Sequence, residues 1–155
     1  MMRIRIETDN RLDDTEIIIK CKEITPEIEH LHKIVLNVSK TVTIVVYKDN
    51  NEFYLNLNQI LFFETEGLKV LAHTKDDFFT ISKRLYELEA LLPLQFVRIS
   101  KSTIVNVNHI YSIERNITAS SHILLNNSHK QVYASRSYYK DLKKRLEFRT
   151  GVDRL

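Results

Sequence analysis

The sequence predicts a mainly β domain, built of small antiparallel sheets with short flanking helices and preceded by an N-terminal strand–strand–helix extension. Three features of the chain lead there. Beyond residue 41 apolar residues recur at every second position in short runs; Asn, Asp and Ser fill the turns between those runs; and helical spacing is confined to three stretches. The turns depend on those polar side chains because the chain holds only two glycines, Gly67 and Gly151, and two prolines, Pro26 and Pro93. The same scarcity excludes a Gly-rich phosphate loop, a dinucleotide fingerprint and a nucleophile elbow.

Residues 2–8 alternate charge with Ile as a strand does, Asp13-Asp14 interrupts, and Glu16–Cys21 reads as a second strand. Thr25 can cap a helix, Pro26 suits its first position, and Ile28, Leu31 and Ile34-Val35 follow at helical spacing. This extension, residues 1–40, is too small to be an independent receiver or sensor domain, because so short a chain buries too little apolar surface to offset its entropy. From residue 41 the period is two. Val42, Ile44 and Val46 pair with Phe53, Leu55 and Leu57 across the turn Lys48–Asn51, and Ile60–Glu64 pairs with Val70–Thr74 around Gly67. Lys75-Asp76-Asp77 turns into a strand at Phe78–Ile81. Ser82 starts a helix with Leu85, Leu88 and Leu92 on one side, which Pro93 ends. Short strands follow at Phe96–Ile99, Ile104–Val107, Ile110–Glu114 and Ile123–Leu125, and the turn Asn126–His129 leads into Lys130–Ala134. The last helix begins near Ser135, with Tyr138, Leu142 and Leu146 on its core side and Arg136, Lys140, Lys143 and Lys144 on a neighbouring basic ridge. The main domain spans 41–148, and 149–155 read as a loose tail.

Charge is unevenly spread. Residues 98–147 carry 9 Lys/Arg against 3 Asp/Glu, while 41–97 carry 5 against 8, so a polyanion would meet the late part of the chain. Segment 96–107 sets Arg98, Ser100, Lys101, Ser102 and Thr103 between two apolar stretches, the hydroxyl-plus-cation mixture that holds phosphates. A polar loop without a partner fits that chemistry equally well. Cys21 is the sole cysteine, which excludes an internal disulfide or a cysteine-rich zinc site, and His30 and His32 are wrongly spaced on a helix for one metal. No acid, base or nucleophile constellation emerges, so neither an enzyme nor a cofactor is expected. The N-terminus lacks the continuous apolar stretch of a secretory signal, and cytoplasmic residence is expected.

Three blocks carry a resemblance: Ile60–Gly67; Phe96–Asn106 with Ile110 and Ile113; and Tyr133–Tyr138. With the Ser82–Leu92 helix between the first two, they make residues 41–147 similar in order and spacing to the LytTR DNA-binding domain family of bacterial transcriptional regulators. The resemblance implies a LytTR-like fold whose loops, rather than a recognition helix, enter successive major grooves of double-stranded DNA, commonly as a homodimer on repeated sites. By position the contacting loops are Gly67–Lys69, Ser100–Ser102 and Arg136-Ser137. Lys69, Lys101 and Arg136 are then expected to touch bases or phosphates, with Ser100, Ser137, Arg98, Ser102, Lys140 and Lys143 around them. Two residues depart from the family pattern: Ser100 stands where many members carry His, and Ser137 where many carry a second Arg. The first loop is also short, with Leu68 near a polar contact position. Many members carry a receiver domain; this chain is similar instead to stand-alone members, which a membrane protein encoded nearby often controls. The extension could extend the core or mediate pairing. The rival reading is a protein-interaction module with a basic face and no DNA binding. RNA would need a stacking surface that Tyr111 and Tyr133 do not supply.

Overall fold

The computed structural model describes residues 3–13, 15–39 and 42–150, the side chains of 37–39 and 148–150 excepted. The chain divides into two compact units, Met1–Ser39 and Lys40–Leu155. In the first, α1 spans Pro26–Ser39. Its start is as the sequence predicts: Thr25 Oγ1 accepts from the Ile28 N–H at 3.4 Å and the Thr25 carbonyl from Glu29 at 2.9 Å. Ile28, Leu31, Ile34 and Val35 make a half-buried stripe. The two expected strands do not form. Described residues before α1 carry no strand, and Ile4, Ile6, Ile17 and Ile18 are exposed. Alternation marks a strand only where an edge is offered to pair with, and an isolated two-stranded ribbon is marginal in water.

The second unit is mainly antiparallel β. Its strands are β1 (Thr43–Lys48), β2 (Asn51–Asn56), β3 (Phe62–Glu66), β4 (Lys69–His73), β5 (Phe78–Ile81), β6 (Phe96–Arg98), β7 (Thr103–Asn106), β8 (Ile110–Glu114), β9 (Ser121–Leu125) and β10 (Gln131–Ala134), with helices α2 (Leu85–Leu91) and α3 (Arg136–Thr150). Seven strands join in the order β2-β1-β5-β4-β3-β7-β6, and β10-β9-β8 make a smaller sheet. The β1–β2 turn sets Asp49 and Asn50 at φ 50° and 65°, the left-handed region that Asn and Asp tolerate best. Strand β7, with Phe62-Phe63 of β3 and Phe96-Val97 of β6 beside it, is buried on both faces. Phe63, Phe96 and Ile104 pack with Leu85 and Leu88 of α2, while Phe62, Val97 and Val105 pack with Ile123 and Val132 of the small sheet and Leu142 of α3. This double cover anchors every loop at the end of those strands.

Two helix limits differ from expectation. Helix α2 begins at Leu85 rather than Ser82, because the Glu87 carboxylate accepts the Arg84 N–H at 2.7 Å and makes Arg84 the cap. Helix α3 runs to Thr150, into the stretch read as tail; residues 151–155 lie outside the described residues.

Candidate nucleic-acid interface

Three backbone hydrogen bonds fasten the loops at one edge of the large sheet. The Thr65 N–H of β3 donates to Ser102 O at 2.8 Å, Ile99 N–H closes the β6–β7 turn onto Thr103 O at 3.0 Å, and Ser135 N–H, just before α3, donates to Ile99 O at 2.8 Å. The β3–β4 turn, the 99–103 turn and the start of α3 therefore form one contiguous rim. The first of these is a two-residue turn, Gly67-Leu68, between the register partners Glu66 and Lys69. Gly67 takes φ +60°, a conformation other residues adopt only with strain, although open space surrounds its missing Cβ. Leu68 stands at the tip, 93% exposed.

Arg98 turns inward. Its Nε donates to Ser100 O at 3.0 Å, Nη1 meets Glu89 at 2.8 Å, and Nη2 donates to Lys101 O. The guanidinium thus braces the turn from beneath, and Ile99, fully buried, pins it from the core. Half-buried Ser100 accepts the Ser102 N–H through Oγ at 3.2 Å. With its own carbonyl held, the exposed Lys101 projects from a rigid frame.

Ser135 O accepts from the N–H groups of Tyr138 and Tyr139, both at 3.1 Å, and opens α3. The Ser135 and Ser137 hydroxyls lie 3.3 Å apart. No acidic residue occupies the first turn of α3; Arg136 does. A cation at the positive end of a helix dipole opposes helix formation, so Arg136 is poorly placed for stability and well placed for an incoming anion, as are the open N–H groups beside it. Lys140 follows one turn on and is exposed, and Lys143 is half-buried. Among the described residues, Lys69, Lys101, Arg136, Lys140 and Lys143 make no ion pair.

Other cations of the basic segment are engaged internally. Lys130 Nζ donates to Thr74 O at 2.8 Å and to Asp77 O, Arg145 donates to Phe96 O at 3.1 Å and to Leu94 O, and Arg115 lies 5.0 Å over the Tyr139 ring. Burial lowers the Lys130 ammonium from its usual value against the pull of Asp77, Asp76 and Glu64. Beside it, His73 stacks on Phe62 at 4.2 Å. Burial, reinforced by Lys130, pushes its imidazole down to about 4. Its Nε2 lies 2.8 Å from Glu64 Oε1, out of line for a hydrogen bond, and burial, then Glu66, raises the Glu64 carboxyl. His73 is thus held beside the partly exposed Glu64 at the end of β4 opposite Lys69.

The profile of the LytTr DNA-binding domain family matches residues 50–147. The chain belongs to the LytTR DNA-binding domain family. It is a family of DNA-binding transcriptional regulators, not of enzymes. An uncharacterized HTH-type transcriptional regulator of Staphylococcus aureus (strain MSSA476) is 30% identical over 146 residues, 94% of this chain and 99% of that relative; the same figures hold for one from strain MW2. A solved LytTr DNA-binding domain from Bacillus cereus superposes with a TM-score of 0.62 at 26% identity, covering 67% of this chain and 95% of that one. Among the described residues of this LytTR chain no two helices are joined by a short turn, so the designation of the relatives has no helix-turn-helix counterpart here. Nor do those residues hold a group of three His, Cys, Asp or Glu able to bind a metal, or a helix long and apolar enough to cross a membrane. Sequence reasoning singled out the cations of the LytTR rim and noted Leu68 beside them, but passed over the exposed Glu66, the register partner of Lys69.

Proposed function

We propose that the chain is a cytoplasmic, sequence-specific transcriptional regulator that reads duplex DNA through this rim and occupies repeated sites as a homodimer. The observation that carries the reading is the fastening of three loops into one edge from which Lys69, Lys101 and Arg136 project without partners. Cations held so, with no anion of their own, suit phosphates and the O6/N7 edge of guanine. Ser100, Ser102, Ser137, Lys140 and Lys143 add phosphate contacts, and Arg98 acts as a positioning residue that fixes Lys101. The Leu68 tip offers the apolar surface that a thymine methyl accepts.

Selection from a randomised duplex pool tests this. A repeated motif is expected to be enriched, because only base readout distinguishes one sequence from another. Retention of DNA with no enrichment would reduce the rim to a phosphate-binding surface. Absence of retention at low salt would favour a protein-interaction module whose basic face meets an acidic partner.

A further inference from the structure

The connection between β8 and β9, residues 115–120, reaches the same edge as the three loops of the rim. Strand β10 runs into Ser135, whose N–H is bound to Ile99 O. Strand β9 lies antiparallel to β10 and β8 antiparallel to β9, with Ala134 opposite Ser121 and Glu114 opposite His122. The start of β9 and the end of β8 are therefore one and two strand spacings, about 5 and 10 Å, from the end of β10 where α3 begins. Asn116 fixes the loop: its Oδ1 accepts the N–H groups of Thr118 at 3.0 Å and Ala119 at 3.2 Å, and its own N–H donates to Ser121 Oγ at 3.2 Å.

Alternation sorts the two charges at the end of β8 onto opposite faces. Glu114 lies by His122, 3.8 Å from its Nδ1. Ile113 packs with Ile123 and Leu142, and Arg115, two residues on, lies 5.0 Å over the ring of Tyr139. Tyr139 follows Arg136 by three residues and precedes Lys140, so Arg115 sits against the first turn of α3 among the cations of the rim. Its engagement differs in kind from that of Arg98, Lys130 and Arg145, whose N–H groups are taken by carbonyls. A ring takes the flat face of a guanidinium and leaves the fork of N–H donors at its edge open. Among the described residues those donors meet no acceptor and no carboxylate, and Arg115 is exposed.

We infer that Arg115 is a fourth anchor of the DNA-binding edge: stacked on Tyr139, its guanidinium takes a backbone phosphate of the duplex beside the site of Arg136. Tyr139 is its positioning residue. A planar fork held by a ring loses little further freedom when it binds two phosphate oxygens, and each phosphate neutralised in this way releases counterions. Such a contact fixes where the duplex lies on the edge without reading a base. It therefore adds affinity on every sequence alike and leaves base readout to the three loops of the rim.

The anchor rests on the duplex-binding edge proposed above, and one measurement separates the two: the affinity of the full chain over a range of salt, for a random-sequence duplex and for a duplex enriched by selection. Arg115→Ala is expected to flatten the logarithmic salt dependence by about 0.9, equally on both duplexes and with the melting temperature unchanged, and Arg115→Lys to restore most of that slope. Tyr139→Phe, which keeps the ring, should preserve the effect of Arg115→Ala, whereas in a Tyr139→Leu background the same substitution should change little, since the guanidinium is no longer held. Wild-type binding with a slope that Arg115→Ala leaves unchanged would overturn the anchor and leave the rim standing. A loss confined to the selected duplex, or equal effects of Arg115→Ala with and without the ring, would overturn it as well. A wild-type chain that retains neither duplex at low salt would overturn both the anchor and the proposed function.

Discussion

Where β4 turns into β5, Lys130 donates to the carbonyls of Thr74 and Asp77, and Lys48 meets the Asp77 carboxylate; where β4 begins, Lys69 leaves the Gly67-Leu68 turn without forming an ion pair, although Glu66 is its register partner. The two ends of one strand thus treat like charges in opposite ways. The first end packs against the small sheet, and a cation taken out of water there must be given oxygen partners. The second end faces solvent beside Lys101 and Arg136, where water already satisfies each charge and a polyanion can replace it with release of its counterions. Total charge in the sequence does not separate these two populations. Among the cations of residues 98–147, Arg98, Lys130 and Arg145 are engaged by carbonyls of the fold and Arg115 by the Tyr139 ring, while Lys101, Arg136 and Lys140 stay exposed at the rim.

The contrast breaks most completely if the rim loses its anchor. Leu142 is fully buried and ties α3 to the sheets; Leu142→Ala should cost about 2–5 kcal/mol in chemical denaturation and weaken DNA binding at temperatures where the fold survives. Full DNA affinity in a variant so destabilised would mean that the start of α3 is not part of the interface. Next in size, Lys101→Ala should lose roughly 1–3 kcal/mol of affinity on the selected site and much less on random duplex, with an unchanged melting temperature. Equal loss on both duplexes would make Lys101 a phosphate contact.

The packed end makes its own prediction. The unfolded chain protonates His73 near its ordinary 6.5, the folded chain only at about 4, so the unfolded state binds more protons in that window and stability falls as pH drops through it. Glu64, raised by burial, acts in the opposite sense. The melting temperature should therefore decline from pH 7 to pH 5, and the decline should be shallower in His73→Gln; parallel curves for the two proteins would dismiss His73 as the cause. The smallest expected effect sharpens the rim: Glu66 is exposed across the turn from Lys69, so Glu66→Gln should tighten DNA binding by a few tenths of a kcal/mol at low salt through removal of like-charge repulsion.

Most of the architecture was legible because its signals are local. The β1–β2 hairpin follows from period-two alternation and from Asp49-Asn50, and α3 follows from the spacing of Tyr138, Leu142 and Leu146. The extension misled because alternation reports a strand's faces, not whether an edge exists to receive it. In the site, the rim cations could be named from their motif positions, yet their grouping depends on backbone bonds between Thr65 and Ser102 and between Ile99 and Ser135, which no side chain announces. The engagement of Lys130 with Thr74 and of Arg145 with Phe96 likewise joins residues some fifty positions apart, so a local pattern cannot tell an engaged cation from a free one.

The dependence of DNA affinity on salt for the wild type and for single alanine variants tests the division directly. On a logarithmic plot each phosphate contact contributes about −0.9 to the slope. Lys69→Ala, Lys101→Ala or Arg136→Ala should flatten the line by up to about one unit, depending on whether the side chain meets a phosphate, while Lys48→Ala leaves it unchanged. A slope that responds to Lys48 and ignores all three rim cations would contradict the account.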